Sequence, residues 1–223
     1  DDELLLTDPG YPCNRHLVSL FEGRAINIPV GPASRFQLTA AQVAANWSEK
    51  TVGALVASPT NPTGTVLEPS EIAELAAVCR QKGGALIVDE IYQGLVYGRP
   101  HETALSVADD VFVVNSFSKF FQMTGWRLGW LVAPEQHVPA LGKLAQNLFL
   151  AAPTPAQYAA LAAFHPDTLA LLEERRQILD ARRQCLSRLL VELGFELPAS
   201  AQGAFYLWAD ASRHTEDAPL LAE

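Results

Sequence analysis

The chain has 223 residues, 49% hydrophobic and 18% charged, a balance that supports a packed core and excludes disorder of the whole chain. The formal net charge is −9 and the pI is near 5.0, which excludes electrostatic partners such as nucleic acid or an anionic membrane surface. Three cysteines, Cys13, Cys79 and Cys185, lack paired spacing. They argue against a disulfide framework or zinc site and for a reducing, cytoplasmic setting. No basic-then-apolar leader opens the chain, and no apolar run reaches the roughly 18 residues that a membrane-spanning helix needs.

In chain order, strands are predicted at residues 4–7 and 25–29. A capping box at Thr39-Ala40-Ala41-Gln42 then opens a helix. A strand at 53–58 precedes a helix over 71–82, opened by Ser70 and closed by Gly83-Gly84. Strands follow at 85–89, 111–116 and 128–132. The runs Ala85-Leu86-Ile87-Val88 and Val111-Phe112-Val113-Val114 suit a sheet buried on both faces. A helix is predicted over 137–150, with Pro139 tolerated only in its first turn. A long amphipathic helix spans 167–193, striped by Leu169, Leu172, Arg176, Leu179, Leu186 and Leu190 and closed by Gly194. Its arginines, Arg175, Arg176, Arg182, Arg183 and Arg188, alternate with acidic residues and read as a solvated face. One further strand is predicted at 204–209. Strand–helix alternation gives an α/β fold with a mostly parallel sheet, residues 1–165 forming a large domain and 166–223 the start of a small one.

Ligands of open α/β sheets bind beyond the carboxyl ends of the strands. Three predicted strand ends carry unusual polar groups. Pro59-Thr60-Asn61-Pro62-Thr63-Gly64 follows the strand at 53–58, and Asp89-Glu90-Ile91-Tyr92 closes the strand at 85–89. A carboxylate pair after four apolar residues is costly unless something positive meets it. Ser116-Phe117-Ser118-Lys119 follows residues 111–115, and Gly125-Trp126-Arg127 comes shortly after. Lys119 is one of only four lysines and lies between Phe117 and Phe120, making it a candidate amine nucleophile. A carboxylate, a phenol, an amide, hydroxyls, an amine and a guanidinium together match a phosphorylated heteroaromatic aldehyde. The five histidines fall in separate segments without ligand spacing, so no metal site is expected. The aromatics of Gln202-Gly203-Ala204-Phe205-Tyr206-Leu207-Trp208 read as core rather than as substrate contacts.

The ordered stretches Asn61-Pro62-Thr63-Gly64, Asp89-Glu90-Ile91-Tyr92, Ser116-Phe117-Ser118-Lys119 and Gly125-Trp126-Arg127-Leu128-Gly129 give a sequence that resembles the class I/II aminotransferases, fold-type I enzymes dependent on pyridoxal 5′-phosphate. The resemblance implies a three-layer α/β/α large domain. It implies transamination between an amino acid and a 2-oxo acid through a Schiff base at Lys119, which then shuttles the proton. Asp89 would pair with the pyridinium nitrogen. Tyr92 and Asn61 would hydrogen-bond the ring's phenolic oxygen, and Ser116, Ser118 and Arg127 would bind the phosphate. A homodimer is implied, with neither nucleic acid nor membrane as partner.

The resemblance begins mid-domain at Asp8-Pro9-Gly10-Tyr11-Pro12 and stops before the family's main substrate-carboxylate arginine, a role that Arg213 does not fit. The expectation is a fragment lacking N- and C-terminal portions, inactive alone and unable to hold the cofactor tightly. Carbon–sulfur lyases share these motifs, and some transcription regulators carry a non-catalytic domain of the same kind. Release of thiol and ammonia, or a DNA-binding segment upstream of Asp1, would mark those alternatives.

Overall fold

A computed structural model describes residues 1–221. Its elements are β1 (Glu3–Asp8), α1 (Pro12–Leu20), β2 (Arg24–Pro29), α2 (Ala40–Asn46), β3 (Thr51–Ala57), α3 (Pro69–Gln81), β4 (Ala85–Asp89), β5 (Phe112–Ser116), β6 (Gly129–Val132), α4 (Val138–Leu148), α5 (Thr154–Ala163), α6 (Pro166–Glu192) and α7 (Ala218–Leu221). The six strands form one sheet in the order β2-β1-β3-β4-β5-β6, parallel except for β6, which runs antiparallel to β5. This is the expected α/β class.

Local chemistry explains the element ends. The Thr39–Gln42 capping box is present, with the Thr39 hydroxyl accepting from the Gln42 N–H. At α3 the cap is Glu68 rather than Ser70. Pro69 occupies the first helical turn, where a missing N–H costs nothing, and Glu71 reciprocates to the Glu68 N–H. The helices α1 and α5 went unpredicted. Both open on a proline in the first turn; α1 buries none of its residues, and the buried face of α5 is written only in alanines, Ala156, Ala160 and Ala163, which mark a core face weakly in sequence.

The main core lies between the sheet and α2/α3. Leu5, Ala54, Val56, Leu86, Val88, Val111 and Val113 pack there against Val43, Ile72, Leu75, Ala76 and Cys79. Val114, on the opposite face of β5, is 39% exposed, and all four β6 residues are exposed. A second cluster joins Phe117 and Met123 to Ala160 and Ala163 of α5. A third joins Tyr92 and Leu95 to Ala204, with Leu179 of α6 packed against them.

The strand predicted at 204–209 does not form. Only isolated bridges occur in this region, Val96 to Gly203 and Glu196 to Asp210. Segment 201–204 is instead fastened to the body by backbone hydrogen bonds. The Gln202 and Gly203 N–H groups donate to the Gly64 carbonyl, Tyr97 N–H to Gln202, and Ala204 N–H to Leu95. The arginine-rich helix needs a second correction. Arg176 donates to the Val96 carbonyl (2.7 Å) and Arg183 to the Ala201 carbonyl (3.0 Å), so these two face inward. Seven residues apart, they lie on one face of α6 and bolt it to both sides of the fastening.

Candidate active site

Register aligns the strand ends. Ala57 of β3 pairs with Asp89 of β4, which pairs with Val114 of β5. Strand order reverses between β1 and β3, the place where an open sheet parts to admit a ligand. There a pocket of about 140 Å³, open to solvent, is lined by Tyr11, Ala57, Asn61, Asp89, Ile91, Tyr92, Lys119 and Tyr206. Sequence-predicted Asn61, Asp89, Tyr92 and Lys119 are thus brought together.

The turn carrying Asn61 is held from beneath. Thr60 N–H donates to the Thr65 carbonyl and Gly64 N–H to that of Thr60. Buried Gln37 directs its amide to the Ala57 and Thr65 carbonyls and the Thr65 hydroxyl. Gly64 has φ +69°, and a Cβ there would lie 2.9 Å from both the Ala201 Cβ and the Gly203 carbonyl oxygen. At Gly203 a Cβ would sit 2.3 Å from the Pro59 ring. Both positions therefore need glycine for segment 201–206 to seat against the turn.

The two carboxylates after β4 divide their work. Glu90, 3% exposed, accepts from the Ala104 N–H (2.6 Å) and the Thr103 hydroxyl, so its burial is met by donors of the fold. Asp89 faces the pocket with one backbone donor, the Ile91 N–H at 3.0 Å. Burial raises the Asp89 pKa; that hydrogen bond and the Lys119 charge oppose the rise.

Lys119 is flanked by different aromatics from those its sequence neighbours suggested. Its Nζ lies 5.5 Å from the centroid of the Tyr92 ring and 5.8 Å from that of Phe205. Phe117 packs away, against Phe121, Trp130 and Phe164. Tyr206 overturns the reading of its segment as plain core. Its hydroxyl lies 2.7 Å from that of Tyr92 and accepts from the Asn61 amide at 3.3 Å. Tyr11, Phe205 and Tyr206 were missed as site residues. Aromatics in an aromatic-rich segment look the same in sequence whether they fill a core or wall a pocket.

The proposed phosphate ligands lie outside this lining. The Ser116 hydroxyl accepts from the Ser118 N–H (3.0 Å) and sits 2.9 Å from the Ser118 hydroxyl and 3.2 Å from the Leu128 carbonyl. Arg127, with φ +53°, is exposed and donates to the Thr124 carbonyl at 2.9 Å. Ser116 thus ends β5, and Ser118 and Arg127 lie near the two ends of the 12-residue connection to β6. Among the described residues no group of His, Cys, Asp and Glu is arranged to hold a metal. No helix among them is long and apolar enough to cross a membrane.

Known proteins share the family and the fold. The model of the family "Aminotransferase class I and II" matches residues 1–222. A valine–pyruvate aminotransferase of Mycobacterium tuberculosis is 41% identical over 218 residues, covering 97% of this chain and 56% of that protein. A probable aspartate/prephenate aminotransferase of Aquifex aeolicus is 32% identical, covering 96% of this chain and 56% of that protein. Among solved structures, an aminotransferase from Mycobacterium tuberculosis superposes with a TM-score of 0.94 at 39% identity over 99% of this chain and 57% of that one. Thermus thermophilus aspartate aminotransferase with maleate gives 0.93 at 28% identity over 99% and 58%. The chain spans a little over half the length of these relatives. With the fold, the family model and the relatives in accord, this chain belongs to the class I and II aminotransferases.

Proposed function

We propose that the protein transaminates between an amino acid and a 2-oxo acid with pyridoxal 5′-phosphate, and that this chain carries the cofactor's ring site. The observation that carries the reading is the meeting of an amine, a carboxylate, three phenols and an amide in one pocket. That donor set fits the ring end of the cofactor. When bound, the cofactor supplies an electron sink for the carbanion left when a substrate Cα loses its proton.

The chain's own residues divide the remaining work. Lys119 offers the amine that holds the aldehyde carbon and can carry the Cα proton. Asp89 keeps a ring nitrogen protonated, and Tyr92 and Asn61 address the ring oxygen. Ser116, Ser118 and Arg127 are proposed for the phosphate. Their placement at the end of β5 and in the connection that follows it supports this, and their internal hydrogen bonds would have to open toward the ligand. Residues 1–165 are read as the large domain and 166–223 as the start of the small one, with residues 222 and 223 outside the described residues. The break coincides with the start of α6 at Pro166. A homodimer fits the exposed apolar surfaces of β6 and α4, and a cytoplasmic setting fits the three free cysteines.

Valine and aspartate are the first substrates to try, because they appear in the relatives' names. With pyridoxal 5′-phosphate and one of these amino acids, the full-length protein that contains this chain should release the matching 2-oxo acid, and Lys119→Ala should abolish that release. Equal release by the variant, or thiol and ammonia from a sulfur amino acid instead, would overturn the reading.

A further inference from the structure

We propose that Tyr206 is a positioning residue that aims the Tyr92 hydroxyl proton into the pocket. This rests on the cofactor reading above and adds a role for a residue more than 100 positions away in sequence.

Each phenol has one proton to give, and its oxygen accepts. The Asn61 amide donates to the Tyr206 oxygen, leaving the Tyr206 proton free to continue to the Tyr92 oxygen at 2.7 Å. With its oxygen supplied from behind, Tyr92 directs its own proton forward to an acceptor in the pocket. The relay therefore runs Asn61 to Tyr206 to Tyr92 to ligand, and each link polarises the next. The geometry is firmly held. Tyr92 is 4% exposed and meets the Tyr206 ring edge-on at 5.6 Å. The Gly203 seat, the Ala204–Leu95 hydrogen bond and Arg183 fix the segment that brings Tyr206 in. Burial pushes the Tyr92 phenol well above its ordinary pKa, so the proton is present at neutral pH.

A hydroxyl donating firmly to the cofactor's phenolic oxygen takes up charge that otherwise holds the proton of the Lys119 adduct. Weakening the relay should therefore raise the pH at which that adduct titrates. The experiment saturates the chain with pyridoxal 5′-phosphate and follows the adduct's absorbance against pH in wild type, Tyr206→Phe, Tyr92→Phe and the double variant. Tyr206→Phe should move the midpoint up by roughly half a unit, about threefold in proton affinity. In the Tyr92→Phe background the same change should move nothing, which a merely structural role would not produce. A folded Tyr206→Phe protein with an unmoved midpoint, or an equal shift in both backgrounds, overturns the proposal.

If wild type forms no adduct at Lys119, the cofactor reading fails and the ligand-free chain decides the relay. Phenol absorbance should then show Tyr92 ionising at still higher pH in Tyr206→Phe, because the phenolate loses the donor that the relay supplies. An unchanged Tyr92 titration overturns the relay.

Discussion

Asp89 shows how a single side chain is placed at a cost. Its carboxylate sits half-buried at the end of β4 with one backbone donor, and burial raises its pKa above the usual carboxylate value. For an acid raised in the folded state, the stability contribution is full below the unfolded pKa. It is lost as pH climbs through the folded one. At neutral pH the ionised form therefore strains the ligand-free fold. Asp89→Asn should melt at a higher temperature than wild type at pH 7. The gap should close as pH falls below about 4, where Asp89 is protonated in both states. Thermal melts at the two pH values test this; a variant less stable at pH 7 would count against it. Asp89, Lys119 and Asn61 were legible in the sequence because polar groups ending apolar strands stand out. Tyr206 was not, because the contact that gives it meaning comes from the far end of the chain.

Segment 201–206 and α6 act together as a fastening element. Gly64 and Gly203 let the segment seat, and Arg176 and Arg183 hold it to α6. Each arginine also pairs with an acidic residue one turn earlier, Glu173 and Asp180. Hydrogen bonding to Arg176 lowers the Glu173 pKa to about 2. That pair's contribution is present above the ordinary glutamate pKa and fades as pH falls toward about 2. Glu173 is partly exposed, so solvent screening keeps the contribution small. Gly203→Ala should be costlier, because a methyl group must displace the Pro59 ring; about 1–3 kcal/mol is expected. The check is a denaturant melt together with pyridoxal 5′-phosphate titration, in which stability and affinity should fall together. Unchanged stability would mean the seat is looser than drawn. The helix α6 was readable from the sequence, but its leucine stripe only in part: Leu172 is buried, while Leu169 and Leu186 are exposed. The inward arginines were not readable, because charge at helical spacing normally marks a solvated face. The Phe205–Trp208 run also misled, since β-prone residues form a strand only where a partner edge is available.

At the scale of the whole chain, the α/β class followed from alternation, and five of the six strands run parallel as that pattern requires. β6 departs because the 12-residue turn from β5 provides no helical crossover, so the chain folds back antiparallel. Apolar residues stay open on β6 (Trp130, Leu131, Val132) and on α4 (Leu144, Leu148). No periodicity in the sequence distinguishes such a surface from a core, since both are written in the same residues. The pocket needs none of these residues. It is assembled by the ends of β1, β3, β4 and β5 and closed by the 201–206 segment.

Covalent trapping tests the central claim most directly. The chain is incubated with excess pyridoxal 5′-phosphate, reduced with borohydride, digested and read by peptide mass spectrometry. The account predicts a reduced adduct on Lys119, present in wild type, weakened in Asp89→Ala and absent from Lys119→Ala. Labelling spread evenly over Lys50, Lys82, Lys119 and Lys143, or labelling that is unchanged when Lys119 is removed, would contradict it.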